Sequence, residues 1–181
     1  MTITETATDL LYPLTLFRQM CGGPMPSYEV IDGAAMPEPY RRLLVHDGDM
    51  TSRLEAFHGG DLVLQILQRE HTPTVYRREV ILHLEEKRLP VEYGAIQIEL
   101  DAFEPGLRQL ILEEHLPLGG LLNSHGVRYH SEPRGFFKMG PDIEMNMLFS
   151  AAATGVFYGR SNELVTDDGR LLARIVELLR P

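Results

Sequence analysis

The segment VYRREVILHL at residues 75–84, the polar EEKR at 85–88 and VEYGAIQIEL at 91–100 read together as two strands and the turn between them. In both runs side chains alternate with a period of two, the signature of a strand, and four polar residues suffice to reverse the chain. Two adjacent strands joined this way must run antiparallel. Upstream, residues 62–69 show the same alternation and predict a further strand. Downstream, residues 102–122 change to helical spacing, with Leu107, Leu110, Ile111 and Glu114 on one stripe. Pro117 interrupts that run, so two short helices broken near His115 are expected. Strands are predicted at 127–139, with an irregularity at Pro133, and at 156–166 and 170–180. The last two flank Asp167-Asp168-Gly169, a strong hairpin signal.

The first part of the chain is less regular. Thr8 and Asp9 are candidate N-caps for a helix through Leu10, Leu14 and Phe17, with Pro13 in its first turn. A loop rich in Gly and Pro follows from Gly22 to Pro39. Helical turns are expected at 40–45, and a turn at His46–Thr51 feeds residues 52–57. Residues 140–154, rich in Met and Phe, carry no clear period. The expected fold class is α+β: one six-stranded antiparallel sheet with helices on one face, forming one domain over residues 1–181.

With 181 residues, 44% hydrophobic and 24% charged, the chain can bury a core. Its net charge of −9 disfavours nucleic acid as a partner, since phosphate backbones need clustered Lys and Arg. Cys21 is the only cysteine, which fits a reducing, cytoplasmic setting. Residues 1–9 lack the basic and apolar parts of a signal peptide, and no apolar run is long enough to span a membrane.

Parity along the strands isolates two charges. Arg78 shares a face with Val80, Leu82 and Leu84, and Glu177 shares one with Leu171, Ala173, Ile175 and Leu179. An unpaired charge on a core face costs several kcal/mol. Three readings follow: Arg78 and Glu177 pair with each other, the register is shifted by one residue, or both line an internal ligand cavity. Arg offers a planar fork for a carboxylate, and Glu can accept a hydroxyl hydrogen or move a proton. Arg160 is either a further inward cation or solvated. Glu113, Glu114 and His115 read as a solvated helix end. The seven histidines show no metal-ligand spacing, and no phosphate loop or nucleophile elbow is present. Met139, Met145 and Met147 read as core or lid packing.

Several short stretches occur together in order: Leu43-Leu44, Asp49-Met50-Thr51-Ser52-Arg53-Leu54-Glu55, Arg78-Glu79-Val80-Ile81-Leu82, Pro117-Leu118-Gly119, Tyr158-Gly159-Arg160-Ser161 and Glu177-Leu178-Leu179. In this the chain resembles the chorismate pyruvate-lyases over residues 43–181, leaving 1–42 as an uncovered N-terminal extension. The resemblance implies a cofactor-free and metal-free carbon–oxygen lyase that converts chorismate to 4-hydroxybenzoate and pyruvate, as a monomer or homodimer. It implies that Arg78 binds the ring carboxylate, helped by the backbone around Leu118, with Met50 nearby and Glu177 at the 4-hydroxyl. Arg78 and Glu177 would be the catalytic pair, and Arg160 a further substrate-binding residue. Ala95 stands where some members carry a second Arg, and the segment 133–154 is longer than the family pattern. The alternative is a non-catalytic domain of the same fold that binds a small aromatic carboxylate as a sensor. Such sensors usually carry a helix-turn-helix domain, for which the first 40 residues are too short and too rich in Gly and Pro. A third reading is a salt-bridged structural domain without a cavity.

Overall fold

The computed structural model describes residues 9–140, 143–149 and 155–179. In chain order the elements are α1 (Leu14–Met20), β1 (Tyr28–Ile31), α2 (Tyr40–Leu44), α3 (Met50–His58), β2 (Leu62–His71), β3 (Val75–Leu84) and β4 (Leu89–Glu99). They continue with α4 (Pro105–Leu112), α5 (Leu118–Ser124), β5 (His130–Met139), α6 (Ile143–Phe149), β6 (Phe157–Val165) and β7 (Leu171–Leu179). The strands form one sheet in the order β1-β5-β6-β7-β4-β3-β2, and every neighbouring pair is antiparallel. Thr8, a candidate cap, and Arg180, the expected end of the last strand, lie outside the described residues.

The expected six-stranded sheet is corrected to seven. β1 falls inside the stretch read as loop and pairs with β5, Tyr28 opposite Met139 and Ile31 opposite Phe136. It has four residues, three of them exposed. So short a strand at a sheet edge buries too little to write alternation into the sequence. Its place comes from backbone pairing.

Helices also cover both faces of the sheet, where one face was expected. Tyr93, Ala95, Ile81, Val176 and Leu178 pack with Leu14 and Phe17 of α1 and with Met145 and Phe149 of α6. On the opposite face Ile96, Ile98, Leu164 and Ala173 meet α4 and α5, and Leu82 and Leu179 meet α2 and α3. The cause is visible in β4, buried almost throughout from Val91 to Ile98. A strand buried on both sides belongs to a sheet covered on both sides. α6 therefore packs into the far core, as does Met139, and the part of the 133–154 segment that is described is no flap over a pocket. Met147 is 76% exposed, outside the core or lid role expected of it.

Two irregularities set the geometry around Glu177. β5 shifts register between Pro133 and Gly135, and β6 shifts against β7 between Leu164 and Val165. Gly159 of β6 then lies so close to β7 that a Cβ there would come 2.5 Å from the Glu177 carbonyl oxygen and 2.6 Å from the Phe137 ring. Neither neighbour is free to yield: one is strand backbone and the other a fully buried ring. Gly159→Ala is therefore expected to lower the stability of the domain by about 1–3 kcal/mol, the usual range for overpacking. Urea denaturation followed by circular dichroism measures this, and an unchanged midpoint would contradict the close approach.

Candidate ligand pocket

The pocket lies between the sheet and the first turns of two helices. Asp49 caps α3 by accepting from the Ser52 backbone N–H at 2.7 Å and receives the Asn123 side-chain amide at 3.1 Å, which ties α3 to α5. Met50 and Thr51 of α3 and Leu118 and Gly119 of α5 thus form one wall. The sheet provides the other through Leu64, Val80, Leu82, Ile96, Leu164 and Ile175. The space not filled by atoms is about 590 Å³, solvent at the mouth included. Met50, Arg78, Leu118, Arg160 and Glu177, all five of the residues singled out in the sequence, line it.

Arg78 and Glu177 are 2% and 4% exposed, so the strand register holds. They do not pair with each other. Arg160 stands directly opposite Glu177 across β6 and β7, and its Nε donates to Glu177 Oε2. Arg160 Nη1 donates to the carbonyl oxygens of His46 at 3.0 Å and Leu44 at 3.3 Å. The guanidinium that seemed equally suited to solvent is thus the buried partner of Glu177.

Arg78 is left without an ionic partner on the pocket face. Its Nη2 makes one long hydrogen bond, 3.4 Å to the Leu116 carbonyl, and its guanidinium carbon stands 5.9 Å from the Tyr76 ring centre. Its Nε and Nη1 are buried and have no hydrogen-bond partner among the described residues. Burial lowers its proton affinity, and the nearby Tyr76 and Glu114 partly offset this. An arginine so placed stays protonated at neutral pH. Glu114, read as part of a solvated helix end, instead accepts the Tyr76 hydroxyl and pairs with Arg69 at 2.5 Å. Ala95 faces away into the far core, as parity implied.

Sequence reasoning missed Glu92. It is 5% exposed, lines the same cavity, and its Oε2 has no partner among the described residues. Burial first, and then Glu177, push its carboxyl well above the usual carboxylate range, while Arg160 opposes them. The signal was present: Glu92 shares parity with Ile96 and Ile98. Among the described residues, no group of three His, Cys, Asp or Glu is placed to hold a metal ion.

No protein-family model and no curated protein matches the sequence. Solved structures share the fold. The effector domain of PhnF from Mycobacterium smegmatis aligns with TM-score 0.55 and 16% identity, covering 74% of this chain and 88% of that one. A structure of PhnF from the same organism aligns with TM-score 0.55 and 13% identity over 92% of this chain and 93% of that one. YydK of Bacillus subtilis, described as a possible transcriptional regulator, aligns with TM-score 0.50 and 7% identity over 66% of this chain and 58% of that one.

These likenesses correct the resemblance to chorismate pyruvate-lyases. The seven-stranded sheet covered on both faces is the fold of an effector domain. With the lyase fold go the carbon–oxygen lyase activity, chorismate as partner, and 4-hydroxybenzoate and pyruvate as products. In the site itself, Glu177, expected to meet a substrate hydroxyl, is the buried partner of Arg160 through one of its two oxygens.

Two predictions come from this geometry. Arg160→Met leaves Glu177 buried without a counter-charge and is expected to cost about 3–5 kcal/mol. Arg160→Met combined with Glu177→Leu should recover most of that loss in urea denaturation, and no recovery would show that the pair is not a unit. His46 is held down to about 4, by burial first and then by Arg160 and Arg53. Between about 4 and its ordinary 6.5, the unfolded chain binds a proton that the folded chain refuses. This contribution to stability is complete above pH 6.5 and drains away as pH falls toward 4. His46→Gln should flatten that part of the thermal-midpoint curve, and an identical slope would refute the assignment.

Proposed function

We propose that this chain is a ligand-sensing effector domain that binds a small organic carboxylate without transforming it, with Arg78 as the anchor. One observation carries the reading: a buried arginine with two unpartnered nitrogens lining a cavity whose remaining walls are mostly apolar. A protein keeps such an uncompensated charge where a ligand brings the opposite one. The bidentate fit of a carboxylate to a guanidinium names the chemical class. Likeness to the PhnF effector domain supports sensing over catalysis. We take residues 1–181 as one such domain acting in a reducing, cytoplasmic compartment, on the strength of the single cysteine.

Isothermal titration with valerate and with benzoate tests this, with chromatography to recover the ligand. Binding is expected, with the ligand returned unchanged. Arg78→Met should weaken it at least roughly tenfold. The same substitution removes an uncompensated buried charge and keeps an apolar side chain of similar length, so the free variant should melt no lower than the parent. A purely structural Arg78 would give a lower melting temperature instead. Absence of binding by both carboxylates would overturn the proposal.

A further inference from the structure

The two ends of the cavity are unbalanced in opposite senses. At one end Arg78 has no paired anion among the described residues, only the influence of Glu114, and two of its nitrogens are unpartnered. At the other, two carboxyl groups meet one cation: Glu177 stands opposite Gly94, and Glu92 lies two residues further along β4, opposite Leu179. Arg160 is spent on Glu177 and on the carbonyls of Leu44 and His46. Glu92 has only a share in that same Arg160, and its side chain is buried with one oxygen unpartnered among the described residues. Between the ends the sheet offers mostly hydrocarbon, chiefly Val80, Leu82, Ile96 and Ile175, with Ser131 and Asn162 as its polar members.

We propose that the pocket selects a ligand charged at both ends, an ω-amino carboxylate with a hydrocarbon spacer, its carboxylate on Arg78 and its ammonium on Glu92. This inference rests on the carboxylate-binding reading above. A neutral hydroxyl would need only a neutral amide in place of Glu92, with no repulsion from Glu177. A carboxyl group held there against burial and like charge is stabilised by an arriving cation, which also brings three hydrogen-bond donors. The walls are mostly apolar, which favours a hydrocarbon spacer over a polyhydroxylated one whose groups would mostly lose their water without replacement. Arg78 stands opposite Ile96, and Glu92 is four residues from Ile96 on the same strand. That is roughly 13 Å at about 3.3 Å per residue. The side chains of Arg78 and Glu92 take up part of the span and leave the length of a short alkyl chain.

Three probes of matched length separate the ideas: δ-aminovalerate, valerate and pentylamine, titrated against the full chain near neutral pH. We expect δ-aminovalerate to bind at least roughly tenfold more tightly than either singly charged probe. Glu92→Gln, nearly isosteric, should erase that advantage while leaving valerate binding intact. Equal binding of δ-aminovalerate and valerate by the parent protein would overturn this inference and leave the carboxylate reading standing. Persistence of the advantage in Glu92→Gln would overturn the role of Glu92. Failure of both carboxylates to bind would remove the proposed function together with this inference. The comparison of probes on the parent protein needs no variant to fold.

Discussion

The ion pair between Arg160 and Glu177 is the constraint on which the site depends. It joins β6 to β7 on the pocket face and, through the Leu44 and His46 carbonyls, ties the sheet to the chain leading into α3. That chain carries Asp49, whose cap fixes the start of α3 and hence Met50 and Thr51 at the pocket wall. A buried pair of this kind adds little net stability over a well-packed apolar pair, but it tolerates no loss of one member. Its consequence for function is indirect. Arg160 engages Glu177, so that carboxylate does not serve as the partner of Arg78.

Much of this was legible in the sequence, and the reason is alternation. In residues 75–84 Arg77, Glu79 and His83 mark one parity as polar, so Arg78 stands out on the other, and Glu177 stands out likewise among Leu171, Ala173, Ile175 and Leu179. The partner of Glu177 was not legible. Continuing the β6–β7 hairpin from its turn, where Val165 faces Leu171, without a shift would set Arg160 opposite Val176. The irregularity between Leu164 and Val165 moves it by one residue, onto Glu177. Such a shift leaves no compositional trace. β1 was hidden because an edge strand of exposed residues has no pattern to read. Glu92 was overlooked for the opposite reason: both parities of β4 are buried, so no solvent face marks its side as the interior.

The family pattern misled in an instructive way. Its short stretches gather Met50, Arg78, Leu118, Arg160 and Glu177 around one cavity. They therefore report which positions of the chain line a pocket. What occupies the pocket is a matter of charge balance, and that balance includes Glu92 and the His46 carbonyl holding Arg160, neither of which the pattern contained. A fold constrains where a site forms far more tightly than what it binds.

The same balance suggests how occupancy could be sensed. Arg78 and Glu92 are both buried with polar atoms unpartnered among the described residues, which is unfavourable for the packed arrangement of sheet and helices. The single long bond from Arg78 to the Leu116 carbonyl is the direct polar tie between that guanidinium and the segment leading into α5. A ligand that satisfies both charges removes the penalty only in the conformation where α3 and α5 close on it. Its binding energy then differs between open and closed states, which is the condition for a ligand to shift a conformational equilibrium. α3 and α5 belong to the cores on the pocket face, Met50 and Leu54 in one and Leu118, Leu121 and Leu122 in the other, so their packing against the sheet opposes any charge penalty in the pocket.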